Sequence, residues 1–83
     1  MKLHILKIKP CDFYYVSRQL KKSELRQDER QYEVGDLIHF VDTKGREIDC
    51  FEDNLFEITH ILRNVPEYGL DINYAVLSIK KVK

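Results

Sequence analysis

The alternation of apolar and polar side chains predicts a chain built mainly from short β-strands. A period of two places successive side chains on opposite faces of a strand. The segments with this period are residues 3–9, Leu37–Val41, 55–62 and 73–80, and residues 47–51 can pair back as a further short strand. In residues 3–9 both faces are largely apolar, which favours a central strand in a covered sheet.

A helical pattern follows the first strand directly. Pro10 ends that strand because proline lacks a backbone donor, and proline is well tolerated in the first turn of a helix. Phe13, Val16 and Leu20 then recur at helical spacing. We predict a helix over residues 10–20, attached to the sheet by Phe13 and Val16.

The densest mixture of opposite charges comes after the helix, in residues 21–30. We predict a strand over residues 22–27, whose period of two separates a charged face from a neutral one. The charged face carries Lys22, Glu24, Arg26 and Asp28, and the other carries Ser23, Leu25 and Gln27. Such a strand is either a solvated ladder of ion pairs or the floor of a polar site.

Glycine, proline and polar clusters mark the connections between these elements. We predict turns at residues 28–30 and 34–36, a hairpin loop at 42–46 and a break at 53–54. Residues 63–71 include Pro66 and Gly69 and form the longest irregular stretch. This stretch is the candidate for a lid or a ligand-binding loop.

Taken together, the segments predict one domain over residues 1–83. Its class is α+β, mostly β. One helix and about six short strands in so short a chain favour a small, partly closed β-barrel, with the helix after the first strand.

The charge balance excludes a protein that attracts polyanions through its overall field. The 14 Lys and Arg residues equal the 14 Asp and Glu residues, so the formal net charge is zero. Any binding of nucleic acid must then come from a local cluster of cations. No apolar run approaches the roughly 20 residues that span a bilayer, and the N-terminus lacks the apolar centre of a signal peptide. We expect no membrane partner and a cytoplasmic location.

The histidines and cysteines show no metal-binding motif. His4, His39 and His60 lie in separate predicted strands, and each is expected to face inward or onto a neighbour. We therefore expect buried, hydrogen-bonded histidines and neither a metal nor another cofactor. Cys11 and Cys50 are expected to be small core or surface residues rather than a disulfide.

Three pieces of the chain, in this order, resemble a known family. They are residues 4–10 (His-Ile-Leu-Lys-Ile-Lys-Pro) with Phe13 and Val16, then Lys21-x-x-Glu24-x-Arg26, then Arg30-x-Tyr32-x-Val34-Gly35-Asp36 with the apolar strands that follow. The sequence is similar to the ASCH branch of the PUA-like superfamily, and most similar to its small phage and bacterial subgroup, DUF3850. The resemblance covers nearly the whole chain and implies a small barrel.

One position departs from the family pattern. The signature Gly-x-Lys-x-x-Glu-x-Arg begins with a glycine at the helix end, where this chain has Gln19. That glycine allows a sharp turn from helix into strand. We therefore expect the turn to come one residue later here, or to use a different geometry.

The resemblance implies a module that binds nucleic acid, because PUA domains bind RNA and ASCH domains are proposed to bind it in a cleft beside the helix. In this chain the cleft would lie between the helix end, the 22–27 strand and the 63–71 loop. The residues expected to bind RNA or a nucleotide are Lys7, Lys21, Glu24, Arg26 and Arg30. Arg26 would stack on a base or fork onto a phosphate, and Glu24 would accept a hydrogen bond from an exocyclic amine.

A second class is a small hydrolase. Some ASCH relatives are amidohydrolases that act on an acylated cytidine, and others are reported to cleave RNA. In such an enzyme Lys21 would act as base or activate the nucleophile, and Glu24 would carry the proton. The amidohydrolases differ from this chain at the position of Glu24, where they have threonine.

A third class is an accessory protein that binds other proteins. The tyrosines expected on its surface are Tyr14, Tyr15, Tyr32 and Tyr68. For every class there is also a purely structural alternative. In that alternative Glu24 and Arg26 form an ion pair across the sheet and bind nothing.

Overall fold

The computed structural model of the chain describes residues 1–28, 30–63, 66–70 and 72–82, without the side chain of Tyr68. Its elements in chain order are β1 (Leu3–Lys7), α1 (Pro10–Ser17), β2 (Ser23–Gln27), β3 (Leu37–Val41), β4 (Phe56–Leu62) and β5 (Tyr74–Lys81). Short 3₁₀ helices lie at Phe51–Asp53 and Pro66–Tyr68. Part of the predicted turn at 28–30 and of the 63–71 loop lies outside the described residues.

The strands form one five-stranded sheet in the order β1-β3-β4-β5-β2. β1 runs parallel to β3, and the other neighbours are antiparallel. The sheet curves into a half-barrel whose two edges are β1 and β2. The predicted small, partly closed barrel with a helix after the first strand is therefore confirmed.

The core fills the concave side of the sheet and the inner face of α1. Phe13 and Val16 of the helix are buried, as predicted. The Phe13 ring meets Phe40 edge-on with ring centres 6.2 Å apart, and Phe40 meets Phe56 at 5.4 Å. Each large apolar side chain buried in this way contributes roughly 1.5–3 kcal/mol. The other members of the core are Leu6, Ile8, Tyr32, Ile38, Ile58, Ala75, Leu77 and Ile79.

β1 is an edge strand and not the central strand that its apolar pattern predicts. His4 and Leu6 are buried, whereas Leu3 and Ile5 on the opposite face are 47% and 52% exposed. Within the described residues β1 pairs only with β3. Apolar atoms make up somewhat more than half of the accessible surface of a typical folded protein. An apolar side chain therefore does not by itself indicate a covered face, which is why the prediction was wrong.

Residues 47–51 do not form the strand predicted for them. Glu47 makes an isolated bridge to Val41, and the chain then turns into the 3₁₀ helix Phe51–Asp53. The physical reason is Asn54, whose buried side chain accepts a hydrogen bond from Phe40 N–H at 3.1 Å and donates one to the Phe40 carbonyl at 2.6 Å. Asn54 supplies the two bonds that a neighbouring strand would otherwise give to β3.

A β-bulge in β4 turns its second half over. Ile58 pairs with Ile79 and His60 pairs with Ser78, so Thr59 is an extra residue in β4. An extra residue moves every later side chain to the other face. His60 and Leu62 are therefore exposed, although the alternating pattern predicts that they share the inward face of Ile58.

The end of α1 keeps a sharp turn without glycine. The helix ends at Ser17 rather than at Leu20, and Gln19 has φ +57°, in the left-handed region. Gln19 N–H donates to the Val16 carbonyl at 3.0 Å, and Leu20 N–H donates to the Tyr15 carbonyl at 2.9 Å. This is the hydrogen-bond pattern of a Schellman motif. The expectation of a later or different turn was wrong, since Gln19 itself takes the left-handed conformation that glycine usually supplies after a helix end.

Replacing Gln19 with glycine should stabilise the protein. A non-glycine residue in the left-handed region is disfavoured by roughly 1–2 kcal/mol, and glycine's greater freedom in the unfolded chain offsets part of this gain. We expect Gln19→Gly to raise the free energy of unfolding by up to about 1 kcal/mol, which corresponds to a rise in Tm of at most about 4–8 °C. Thermal and urea unfolding would measure both quantities.

The matched control for this substitution is Gln27→Gly. Gln27 is an exposed residue in β2 and has an ordinary strand conformation, so glycine there should lower Tm. A lower Tm for Gln19→Gly as well would show that the helix end does not have the described geometry.

Candidate functional site

The turn after α1 delivers Lys21 to the start of β2. The Lys21 N–H donates to the Tyr15 carbonyl at 3.2 Å, which fixes its backbone against the helix end. Its side chain is partly exposed, and Nζ lies 3.6 Å from Glu24 Oε1. This distance is within reach of an ion pair but beyond that of a hydrogen bond.

β2 separates its side chains as the period of two predicts. Glu24 is buried and Arg26 is half-buried on the inner face, whereas Ser23, Leu25 and Gln27 are exposed. Antiparallel pairing with β5 sets this alternation, with Glu24 opposite Leu77 in the core. A carboxylate is thus held inside a sheet face that is otherwise apolar.

Arg26 connects the two edges of the half-barrel. Its Nε donates to Glu24 Oε2 at 2.8 Å, and its Nη2 lies against the same oxygen. Nη2 also donates to the Lys7 carbonyl at 2.7 Å. The guanidinium therefore joins β2 to β1, which do not pair with each other through their backbones.

The other oxygen of Glu24 has no hydrogen-bond donor among the described residues. Oε1 is buried, and its ion-pair partner is Lys21 Nζ at 3.6 Å. A buried polar atom without a donor destabilises a protein by roughly 1–3 kcal/mol. Because Oε1 is buried and Glu24 does not line the hollow described next, a bound molecule would reach this acceptor only by displacing a neighbouring side chain.

A hollow of about 300 Å³ lies next to Arg26. The residues around it are Leu6, Leu25, Arg26, Gln27, Arg30, Tyr32 and Tyr74. The segment carrying Arg30 and Tyr32 is held by Arg63, whose Nη2 donates to the Tyr32 carbonyl at 2.9 Å and to Asp28 Oδ1 at 3.2 Å. Two arginines and two tyrosines thus border a recess at the gap between β1 and β2.

The structure brings four of the five predicted site residues into one connected set. Lys21, Glu24 and Arg26 form a chain of ion pairs, and Lys7 joins it through its carbonyl while its side chain is exposed. Arg30 is exposed and borders the hollow. Their roles in binding remain predictions.

A second hollow lies on the opposite face of β2. It measures about 420 Å³ and is lined mainly by apolar residues, namely Leu25, Leu62, Leu70 and Val76, with Lys21, Ser23 and Gly69. This hollow joins the helix end, β2 and the described part of the predicted loop. Glu24 and Arg26 do not line it because they face inward, so the single cleft predicted from the sequence corresponds to two separate hollows.

A buried polar centre at the start of β1 supports the first hollow. His4 Nε2 donates to Asp36 Oδ2 at 2.8 Å, and the His4 ring packs against Tyr32 with ring centres 4.7 Å apart. Asp36 also accepts the backbone N–H groups of Lys2 at 3.0 Å and Glu33 at 3.1 Å. Sequence reasoning identified His4 but missed Asp36, whose signal was its place after Gly35 at the start of β3.

The other histidines divide between the core and the surface. His39 is buried, and its ring nitrogens lie 2.9 Å from the Asn54 carbonyl and 2.8 Å from Glu47 Oε2. The expectation of buried, hydrogen-bonded histidines is confirmed for His4 and His39. The expectation is wrong for His60, which the β4 bulge exposes.

Among the described residues, one exposed cluster has the composition of a metal site. Asp49, Cys50 and Asp53 have ligand atoms within 4.8 Å of one another. Cys50 Sγ donates to Asp53 Oδ2 at 2.9 Å, and this carboxylate raises the pKa of the thiol. A thiol that keeps its proton is a poor metal ligand. Cys11 and Cys50 are both free and exposed.

Two of the four tyrosines predicted at the surface are exposed among the described side chains. Tyr14 and Tyr15 are exposed and lie edge-on to each other, with ring centres 5.3 Å apart. Tyr32 is buried in the core, because it packs on His4, so its assignment to the surface was wrong. The side chain of Tyr68 lies outside the described part of the chain.

The Asp36 carboxyl links stability to pH. Burial raises the pKa of Asp36. The hydrogen bonds from His4 and from the Lys2 and Glu33 N–H groups lower this pKa by more than burial raises it, so it lies below the ordinary value of 3.8. A carboxyl with a lowered pKa in the folded state stabilises the fold at pH values above its unfolded pKa. This contribution is lost as the pH falls through the folded pKa.

We expect the stabilising effect of Asp36 to be complete above pH 3.8 and to disappear at lower pH. The difference in unfolding free energy between the natural protein and Asp36→Asn should shrink accordingly as the pH falls. Urea unfolding across this range would measure it. The pKa of Asp42 is also lowered, mainly by the hydrogen bond from the Arg46 N–H. The variant Asp42→Asn measures the part of the pH dependence that comes from this second carboxyl. A difference for Asp36→Asn that is independent of pH would contradict the assignment.

Comparisons with known sequences place the chain in a family. No helix among the residues described is long and apolar enough to cross a bilayer. No curated protein matches the sequence. A family model described as "Domain of unknown function (DUF3850)" matches residues 3–79. Since this match spans nearly the whole chain, the protein belongs to the DUF3850 family.

Proposed function

We propose that the inner face of β2 and the hollow beside Arg26 bind a nucleotide or a short single-stranded RNA. The observation that carries the proposal is the buried Oε1 atom of Glu24, which has no donor among the described residues. Arg26 and Lys21 hold the charge of this carboxylate in place. A ligand that brings an N–H donor to Oε1 would satisfy the buried acceptor.

Cytosine, adenine and guanine are suitable donors because each has an exocyclic amine with N–H groups at the edge of a flat ring. Bases of single-stranded RNA are recognised by hydrogen bonds to this edge and by stacking on aromatic side chains or guanidinium planes. Tyr74 borders the hollow and is 37% exposed, so it offers a stacking surface. The hollow's volume of about 300 Å³ is at the lower end for ligand pockets, which favours one nucleotide over a long strand.

The cations around the site favour an anionic ligand although the net charge of the chain is zero. Lys21, Arg26 and Arg30 lie at or beside the inner face of β2, and Lys7 lies at the edge of β1. Such a local cluster attracts phosphate at short range only. Binding should therefore weaken as salt rises, with a small slope because few phosphates are contacted.

Family membership supports the proposal through the sequence resemblance. We place the DUF3850 family in the ASCH branch of the PUA-like superfamily, on the order of the strand-proline-helix opening, the Lys21-x-x-Glu24-x-Arg26 signature and the turn before β3. RNA binding is the function that this placement implies. The retained turn at Gln19 adds support, because Lys21 then follows the helix as it does in the signature.

The contacts of Lys21 favour binding over hydrolysis. Lys21 Nζ lies 3.6 Å from Glu24 Oε1 in an ion pair, so it is engaged by a carboxylate rather than placed beside a nucleophile. Arg26 is bonded to Oε2 of Glu24 as well, and the other oxygen, Oε1, lies nearest Lys21.

The proposal is tested by an NMR titration of backbone amides with a short single-stranded RNA, cytidine and N4-acetylcytidine. We expect the shifts to cluster at Lys21, Glu24 and Arg26. Arg26→Ala and Glu24→Gln should weaken binding about 10–100-fold, because each removes a charge-assisted hydrogen bond worth roughly 1.5–3 kcal/mol. Both variants should keep the dispersed spectrum of the folded protein.

Arg46→Ala is the matched control for Arg26→Ala. Arg46 is an exposed arginine that is also paired with a carboxylate, Asp42, at 3.0 Å, but it lies in the loop after β3. The substitution Arg46→Ala should leave binding unchanged. If no amide responds to millimolar ligand, or if Arg26→Ala lowers only thermal stability, the pair is structural and the proposal fails. Conversion of N4-acetylcytidine during the titration would instead assign the hydrolase function.

A further inference from the structure

Residues 47–53 cover the outer face of β3, where His39 lies. Ile38 and Phe40, the neighbours of His39 in the strand, belong to the core, so His39 points away from it. The His39 side chain is nevertheless only 3% exposed. The Phe51 ring lies against the His39 ring, with ring centres 4.9 Å apart. A titratable side chain is thus buried between β3 and residues 47–53.

Both ring nitrogens of His39 lie within hydrogen-bond distance of acceptors. Nδ1 is 2.9 Å from the Asn54 backbone carbonyl, and Nε2 is 2.8 Å from Glu47 Oε2. A carbonyl oxygen and an ionised carboxylate accept hydrogen bonds and donate none, whereas a neutral imidazole has a single N–H group. A neutral ring can therefore make one of these bonds, and the imidazolium cation can make both. Because Glu47 is 69% exposed, and exposed carboxyl groups are ionised at neutral pH, the described geometry requires the cation.

Loss of the ring proton breaks the bond to Glu47 and keeps the bond to Asn54. The Asn54 backbone is fixed, because its buried side chain is bonded to both backbone groups of Phe40. The Glu47 side chain borders water and can turn away. In a neutral histidine, the hydrogen bond made by one ring nitrogen decides which nitrogen keeps the proton. Neutral His39 therefore keeps its proton on Nδ1, and the lone pair of Nε2 then faces the negative charge of Glu47.

The charges around His39 make the attachment of residues 47–53 depend on that proton. On the β1 side the register neighbour of His39 is Ile5, which carries no charge. In the loop before the segment, Arg46 and Asp42 are paired with each other. The imidazolium attracts the acidic segment, and the neutral ring does not. The segment contains neither lysine nor arginine, and its four carboxyl groups are those of Glu47, Asp49, Glu52 and Asp53.

Two contacts hold the ends of the segment independently of the ring proton. Ile48 packs against the core, and the Asn54 side chain is bonded to β3. Between these ends the Phe51 ring contacts His39, and an aromatic ring attracts a cation more strongly than it attracts a neutral ring. Loss of the proton thus weakens both the pair with Glu47 and the contact with Phe51, while the two ends stay in place.

We propose that the charge on His39 controls how residues 47–53 lie on the sheet. While His39 is protonated, the segment is attached through Glu47 and Phe51. When the pH rises and the proton is lost, these two side chains leave the ring and open the outer face of β3 to solvent. The proposal does not depend on nucleotide binding, since neither His39 nor residues 47–53 line the two hollows beside β2.

An NMR titration from about pH 5 to 8, the range in which histidines ordinarily change charge, tests the proposal. Long-range ¹H–¹⁵N spectra of the ring report which of its nitrogens carry protons. We expect both His39 nitrogens to be protonated at the acidic end and Nδ1 alone at the basic end. The backbone amides of residues 49–53 should shift with the same midpoint as the ring, and their hydrogen-exchange protection factors should fall at the basic end.

Glu47→Gln separates a controlled segment from a ring that titrates without consequence. The glutamine amide both donates and accepts hydrogen bonds, so it can bond to Nε2 in either charge state of the ring. In this variant the protection factors of residues 49–53 should change much less with pH. Glu57→Gln is the matched control, because Glu57 is an exposed glutamate on β4, and it should keep the pH dependence of the natural protein.

Three results would each overturn the proposal. One is a His39 ring that keeps a single charge state, neutral or cationic, across the whole titration. Another is a set of protection factors for residues 49–53 that does not follow the His39 titration. The third is a Glu47→Gln variant that keeps the full pH dependence of the natural protein.

Discussion

The half-barrel leaves two strand edges facing each other without a backbone ladder, and the Arg26 guanidinium spans them. It reaches from β2 to the Lys7 carbonyl of β1 and holds Glu24 on the way. A side chain does here what hydrogen bonds between strands do in a closed barrel. The gap therefore remains open enough to form a recess, and the residues that bridge it are also the polar residues that line it.

Two buried polar centres among the described residues follow the rule that a buried polar group must have a partner. Asn54 satisfies the backbone of Phe40, and Asp36 collects three donors around His4. Within the described part of the chain, two buried side-chain atoms have no hydrogen-bond partner, Arg63 Nε and Glu24 Oε1. Arg63 Nε lies 2.9 Å from Asp28 Oδ2 in an ion pair, whereas Glu24 Oε1 has its ion-pair partner, Lys21 Nζ, at 3.6 Å. Departures of this kind are expected where a protein binds a ligand rather than where it only folds. This contrast supports a functional interpretation of the ion pairs on β2.

The sequence predicted those features that depend on local periodicity. The bounds of β3 and the separation of Glu24 and Arg26 from Leu25 follow from a period of two, which the structure keeps. The helix face of Phe13 and Val16 follows in the same way from helical spacing.

Features that depend on distant contacts were not predictable. The failure of residues 47–51 to form a strand depends on the Asn54 side chain reaching Phe40. The exposure of His60 depends on one extra residue in β4, and no residue type marks the position of this bulge. The left-handed conformation of Gln19 is set by the Schellman bonds to α1, against the preference of its own side chain. Of the site itself, the charged residues were readable from the pattern, whereas the bond from Arg26 to β1 required the three-dimensional fold.

Arg26 is held between Glu24 and β1 in the free protein, and in the proposed function it meets the ligand in that position. Its side-chain Nε–H resonance reports this directly, because the proton is bonded to Glu24 Oε2. In the free protein we expect this proton to exchange slowly with water, whereas that of the exposed Arg30 exchanges fast. Adding cytidine 5′-monophosphate should shift the Arg26 resonance. An Arg26 proton that exchanges as fast as that of Arg30 and does not respond to the nucleotide would contradict it.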